Sequence, residues 1–307
     1  MVKHSVHSIG EFGLIEQIKK WIPSARKIVR GIGEDTAVFP SAGQGSYELL
    51  TIDTIVEEVD FILRMVKPEA IGRKALAINL SDIAAMGGSP KFAVVSLTLP
   101  KKTKVEFVKR FYAGLSKLAK HFGVAVVGGD LSRGLKVSSS IALLGEVKKN
   151  QAVFRNGARF GDFVCVTGKL GGSILGKQFT FTPRIYEGKL IARSGASAMI
   201  DISDGLEQDA GHLAENSKVG FFLDKRQIPI SAAAMKLARG NPKKALFHAL
   251  SDGEDFELLF TISPSKFKTL ARAWKTRFQI PLTVIGRVVS QKEVPRTFRK
   301  KLGFQHF

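Results

Sequence analysis

Apolar positions first recur at helical spacing. In SIGEFGLIEQIKKWIP, Leu14, Ile15 and Ile18 share one face and Pro23 closes the segment, so a short amphipathic helix is predicted. GIGEDTAVF, residues 31–39, reads as a turn leading into a strand. Residues 47–59 are rich in β-branched side chains and predict one or two strands. The pattern over 68–87 is helical again, with Pro68 near its start and Gly87-Gly88 as its stop. A strand over 92–99, a helix over about 104–122, the strand VAVVGGD and a strand over 138–147 follow.

Residues 148–157, KKNQAVFRNG, look like a boundary, dividing the chain into domains 1–147 and 148–307. Beyond it come the strand DFVCVTG, a glycine-rich turn and helical material to about Arg193. ASAMIDISDGL reads as a strand giving way to a helix, KVGFFLD as a strand, and ALSDGEDFELLFTI as a turn followed by a strand. Strands and helices alternate in both halves, so the class is α/β or α+β.

Composition narrows this picture. A chain of 307 residues accommodates two cores. Its apolar runs stay short of the roughly 18 residues of a membrane span, and MVKHSVHSIGEF has no apolar signal-peptide core. Cys165 is the one cysteine, which excludes an intrachain disulfide and a multi-thiolate metal site and agrees with a reducing cytoplasm. The formal charge of +20 is spread along the chain, apart from short clusters such as Arg296, Arg299, Lys300 and Lys301. No finger spacing or RNA-binding aromatic motif accompanies it, which favours a generally basic surface over a nucleic-acid surface. Against that background, gathered carboxylates are informative.

Gly171 to Gln178 matches GxxxxGK after a strand, yet Gln178 stands where a P-loop carries the hydroxyl that ligates magnesium. The acidic segments carry the stronger signal. Asp35 follows a Gly-x-Gly turn, Asp53 interrupts the apolar LLTIDTIVEE, and Asp82 lies three residues after Asn79 on a helix face. Asp130 ends VAVVGGD, and Asp201 and Asp204 sit where a strand meets a helix. Carboxylates from several segments suit magnesium ions on a polyphosphate. Each also has an ordinary reading: Asp204 as a helix N-cap with Glu207 completing a capping box, and Asp130 and Asp35 as turn residues. Asp53 and Asp82 are costly in apolar surroundings without partners. The histidines, His121, His212 and His248 among them, show no metal-ligand spacing and read as surface or core residues.

Taken in order, these segments resemble the thiamine-monophosphate kinase family, within the wider group of aminoimidazole ribonucleotide synthetase-like ATP-binding enzymes. GIGEDTAV resembles GIGDDAAV, LLTIDTIVEEVDF resembles TTDTLVEGVHF, and VVGGDLSRG resembles IGGDTTRG. IGRKALAINLSDIAAMGGSP, FRNGARFGDFVCVTGKLGGS, MIDISDGLEQDAGHLAENSKVGF, SDGEDFELLFT, VIGRV and GFQHF complete the series over nearly the whole chain.

The resemblance implies a two-domain fold, α/β then α+β, and a homodimer formed through the N-terminal domains. It implies direct in-line phosphoryl transfer from ATP to thiamine monophosphate with several magnesium ions. Asp35, Thr51, Asp53, Asp82, Asp130, Asp201 and Asp204 match magnesium-site positions, with Asp82 and Asp204 acting through the metal. Tyr112, Gly129, Asp130, Arg155 and Ser203 match the ATP site. Asp60, Glu254 and Phe304 match the acceptor side. The sequence departs at Glu34 for an aspartate, Ile52 for Thr or Ser at a metal-site position, Glu58 for glycine, Asp60 for a substrate-contacting histidine, and Asp252 for glycine. These departures leave two alternatives open. One is a family member with another acceptor or a purely nucleotide-binding role; the other is a basic nucleic-acid-binding protein.

Overall fold

A computed structural model describes residues 6–23, 27–43 and 45–293. Phe304, the GFQHF segment and the basic cluster at 296–301 lie outside the described residues.

The first half contains α1 (Val6–Trp21), β1 (Ala37–Pro40), β2 (Ser46–Val56), α2 (Pro68–Ala85), β3 (Ser89–Leu99), α3 (Val105–Phe122), β4 (Ala125–Arg133) and β5 (Ser138–Lys148). The strands form one sheet in the order β1-β2-β5-β3-β4. The β3–β4 pair is parallel, joined across α3, and the other pairs are antiparallel.

Alternation sets the two faces of this sheet. Leu49 and Ile55 on β2, Ile141 and Leu143 on β5, and Val95 and Leu97 on β3 are buried, as are Ile71, Leu76, Leu80 and Ile83 of α2 in the same core. On the opposite face the register aligns Leu50, Leu144 and Phe92 in one row and Ile52, Ala142 and Val94 in the next. Ile52 there is 65% exposed, and β4 is exposed along its whole length.

The second half adds β6 (Phe163–Thr167), α4 (Lys177–Thr180), α5 (Ile185–Arg193), β7 (Ala198–Asp201), α6 (Leu206–Ser217) and β8 (Gly220–Leu223). It ends with α7 (Ala232–Leu237), α8 (Pro242–Ser251), β9 (Leu258–Ile262), α9 (Pro264–Arg277) and β10 (Leu282–Val289). Its sheet runs β7-β9-β6-β10-β8, antiparallel throughout. Both faces are covered. Cys165, Met199, Phe260 and Ile262 join the core that contains α2, while Val164, Val166, Ile200 and Leu259 join a second core with Leu206 and Leu213 of α6. One apolar core therefore runs from the first sheet through α2 to the second.

The sequence pattern does not reveal α7, α8, α9 or β10. The ALS of ALSDGEDF ends α8, which Asn241 caps by accepting the Lys243 and Lys244 N–H groups. α9 presents mostly basic and polar residues, with Leu270 and Trp274 buried, and β10 is broken by a register shift at Gly286. The helical material before Arg193 is two helices separated by an irregular stretch around Pro183. Among the described residues, no helix is long and apolar enough to cross a membrane.

Candidate functional site

Four carboxylates meet where β2, α2, β7 and the loop before β1 converge. β2 is tied to α2 by the Asp53 N–H, which donates to Asn79 Oδ1 at 3.1 Å, while Asn79 Nδ2 donates to the Ala75 carbonyl at 3.0 Å. Thr51 Oγ1 donates to Asp82 Oδ2, and Asp53 lies close enough to Asp82 for the two carboxyls to influence each other. From the second half of the chain, Asp201 at the end of β7 accepts from Ser81 Oγ at 2.6 Å. Asp35 accepts from Arg155 Nη2 at 2.7 Å, and its buried Oδ2 has no hydrogen-bond partner among the described residues. Asp35, Asp82 and Asp201 bring carboxylate oxygens within 4.8 Å of one another.

Burial and mutual repulsion hold protons on this cluster. Burial, followed by the Asp35 charge, pushes Asp201 up to about 8. Burial raises Asp53 to about 6, partly offset by neighbouring Asp82, and burial with the Asp53 and Asp201 charges moves Asp82 well above the carboxylate range. Burial alone would lower Arg155, but Asp35 beside it outweighs that and holds the guanidinium protonated. Cations brought among these oxygens would displace the protons.

A second group lies one turn away. Asp204, Asp209 and His212 bring ligand atoms within 4.8 Å of one another. The expected Asp204 cap with a Glu207 capping box does not form. Gly205, at φ 114°, takes the N-cap position of α6, a conformation that an L side chain rarely adopts. Asp209 performs the capping chemistry from the first turn, accepting the Ser203 and Asp204 N–H groups at 3.1 and 3.2 Å. Asp204 accepts instead from Gln208 Nε2 at 2.9 Å. His212, read from sequence as an ordinary residue, stands in this group. Spacing gave no warning because its partners precede it by three and eight residues on a helix that begins between them.

Other expected residues stand apart. Asp130 lies on edge strand β4, separated from β2 by β5 and β3, and accepts from Ser132 Oγ at 2.8 Å. Gly129 beside it is where β3 comes closest, since a Cβ there would lie 2.0 Å from the Val95 carbonyl oxygen. Tyr112 is half-buried on α3, its ring edge-on to Phe111 at 5.5 Å. Ile52 points to the outer sheet face, away from Thr51 and Asp53. Glu34 accepts the Arg155 backbone N–H at 2.7 Å, so the longer acid helps seat Arg155.

On the acceptor side, Asp60 Oδ2 accepts the Val56 N–H at 2.7 Å, and the Asp60 carbonyl accepts from Lys74 Nζ at 3.1 Å. Lys74 also donates to Glu254 Oε1 and, at 2.7 Å, to Gln178 Oε1. Glu58, where the family pattern has glycine, adopts φ 70° and pairs with Lys136. Asp252 accepts the Gly172 N–H at 2.9 Å, and Asp255 accepts that of Gly171 at 2.7 Å. The GxxxxGK segment thus has these amides filled by the protein's own carboxylates, and Lys177 lies 3.3 Å from Asp255 and 3.2 Å from Glu257. Lys74, Asp209 and Glu257 are polar groups that the sequence reading missed; for Lys74 and Glu257 the signal available was a charged residue beside an apolar run, whereas Asp209 sits in polar sequence.

Residues 33–147 match the family model described as AIR synthase related protein, N-terminal domain. The chain is 34% identical to the thiamine-monophosphate kinase of Bacillus subtilis, over 97% of this chain and 99% of that protein. It is 36% identical to the thiamine-monophosphate kinase of Aquifex aeolicus, over 97% and 98%. Among solved structures, one described as AaThiL complexed with AMPPCP and TMP superposes with a TM-score of 0.87 at 35% identity, covering 100% of both chains.

Proposed function

The chain belongs to the thiamine-monophosphate kinase family, and we propose that it transfers the terminal phosphoryl group of ATP to thiamine monophosphate, giving thiamine diphosphate and ADP. The observation that carries this reading is the meeting of Asp35, Asp82 and Asp201 from three segments and two domains beside Arg155. An oxygen of the acceptor phosphate forms the new bond to the γ-phosphorus as the bond to the β,γ-bridging oxygen breaks. Arg155 faces the cluster as a fixed cation for phosphate oxygens. The one thiol, Cys165, is buried on β6 and its pKa is pushed up by burial, so direct transfer needs no contribution from it.

Magnesium fits the donor set. The groups are hard carboxylate oxygens, Asp35 Oδ2 is buried without a partner, and the cluster otherwise retains protons. Asp35, Thr51, Asp53, Asp82 and Asp201 would hold magnesium, joined by Asp130 and Asp204 from their own segments. Bound there, the ions would neutralise phosphate charge during transfer. Gly129, Asp130, Arg155, Ser203 and Tyr112 are assigned to ATP, and Asp60, Glu254 and Phe304 to the acceptor. Residues 1–147 and 148–307 act as the two domains.

We read the working form as a cytoplasmic homodimer. The outer face of the first sheet exposes Leu50, Ile52, Phe92 and Val94 next to edge strand β4, where Val127 and Leu131 are 61% and 69% exposed. A second copy of the same face would cover this apolar surface. The test of the activity is direct: purified protein with ATP, magnesium and thiamine monophosphate, followed for thiamine diphosphate by chromatography. Consumption of ATP without thiamine diphosphate would sink the acceptor assignment.

A further inference from the structure

Lys74 is among the largest fully buried side chains of the described residues, 1% exposed on α2. A buried ammonium is costly unless each of its three N–H groups is taken up. Here they meet three segments: the carbonyl of Asp60, Gln178 Oε1 of α4, and Glu254 Oε1 of the 252–257 loop. The Phe179 ring lies 5.0 Å from the same nitrogen. Next to it, Arg73 donates to the Phe179 and Phe181 carbonyls, so this turn of α2 grips the second domain at several points.

Glu254 is held from two sides. Its backbone adopts φ 62°, uncommon outside glycine, and its N–H donates to the Ser203 carbonyl at 2.7 Å. The chain at Glu254 is thereby fixed to the 201–204 segment, while its carboxylate is fixed to Lys74. The side chain stays one-third exposed, and Oε2 accepts no hydrogen bond among the described residues. One oxygen is therefore locked inward, and the other is left to face solvent or ligand. The same ammonium holds the Asp60 carbonyl, on the other segment assigned to the acceptor.

We propose that Lys74 is a positioning residue for the acceptor: it aims the Glu254 carboxylate and fixes the Asp60 turn, so that the cationic heterocycle of the acceptor meets a preformed anion. This rests on the assignment of thiamine monophosphate as acceptor. A carboxylate that must be oriented at each encounter costs side-chain entropy, which Lys74 removes in advance. The effect belongs to acceptor binding, because Lys74 itself bonds to Asp60, Gln178 and Glu254 and to none of Asp35, Asp82 and Asp201.

The test compares Lys74→Met with wild type in steady-state kinetics. The KM for thiamine monophosphate should rise about tenfold, with the KM for ATP and kcat at saturation within about threefold. In a Glu254→Gln background the same substitution should add less than about threefold, because the group it orients has lost its charge. Lys74→Gln, which keeps a donor for the Asp60 carbonyl, carries the same test if thermal melting shows the methionine variant to be unfolded. Equal changes in both KM values, additive effects in the double mutant, or lost stability with unchanged kinetics would overturn the proposal. A wild-type enzyme that forms no thiamine diphosphate would instead refute the acceptor assignment on which it rests.

Discussion

The carboxylate cluster makes a pH prediction whose sign is opposite to that of an ordinary salt-bridged acid. Asp53 and Asp201 have folded-state values raised to about 6 and about 8 from 3.8. The folded protein therefore binds more protons than the unfolded chain, and stability falls as pH rises. This contribution is complete below the unfolded value and is lost as pH passes through about 6 and then about 8. For Asp201 alone, the interval from 3.8 to about 8, at about 1.4 kcal/mol per tenfold change in proton affinity, corresponds to on the order of 5 kcal/mol. The charges interact, so this energy belongs to the cluster rather than to one residue.

Melting of metal-free protein between pH 5.5 and 8.5 tests it, with Asp201→Asn as the perturbation. The other ionisable groups of this chain, whose net formal charge is +20, also titrate, but they are common to both proteins and cancel in the comparison. At pH 5.5 the variant should melt at or below wild type. At pH 8.5 without metal it should melt higher, by roughly 5–10 °C at about 2 °C per kcal/mol. Saturating magnesium should reverse that order by stabilising wild type more than the variant. A variant that melts below metal-free wild type at both pH values would refute the reasoning.

Asp82→Asn and Asp204→Asn should each cut ATP turnover by at least tenfold at limiting magnesium; near wild-type turnover in either would remove its assigned role. Lys177→Ala should leave nucleotide affinity within a few fold in equilibrium binding, while costing about 1–3 kcal/mol in denaturant unfolding because buried Asp255 and Glu257 lose a cation. Ile52→Arg with Leu131→Arg should convert a dimer to a monomer in sedimentation, and an unchanged mass would reject the exposed sheet face as the contact. Asp60→His should lower the KM for thiamine monophosphate and leave that for ATP nearly unchanged, since removing one anion relieves repulsion only for the ligand it faces; a parallel change in both would exclude that explanation.

The legible parts of the fold were those with strong local grammar. α2 has Pro68 at its first turn and Gly87, at φ 69°, just beyond its end, and β2 is dense in β-branched residues. The carboxylate cluster was legible where an acid interrupts an apolar run, as at Asp53 and Asp82, because such a residue needs a partner that the local sequence lacks. The partners were not legible. Ser81 meets Asp201 across 120 positions and Lys74 meets Glu254 across 180, and no local pattern encodes such contacts. α9 escaped notice because its basic and polar composition resembles a solvated loop, with just Leu270 and Trp274 reaching the core.

The P-loop-like glycine segment and the 252–257 loop turn out to be one structure. Asp252 and Asp255 bind the Gly172 and Gly171 amides, and Glu257 receives Arg184 at 2.7 Å through each of two nitrogens together with Thr167 Oγ1. Burial acts to raise Glu257, but these donors and Lys177 hold its carboxyl below the usual range. Amides that would cradle a phosphate in a P-loop are here committed to carboxylates of the chain itself. That commitment leaves Glu254, between the anchored Asp252 and Asp255, as the acid of this loop that extends to α2. A loop fixed at Asp252, Asp255 and Glu257 can sustain the left-handed conformations of Glu254 and Phe256, at φ 62° and 50°, which an unanchored loop would relax. The glycines thus clamp the loop that carries Glu254, and in the function proposed above the nucleotide phosphates are left to the aspartates and Arg155.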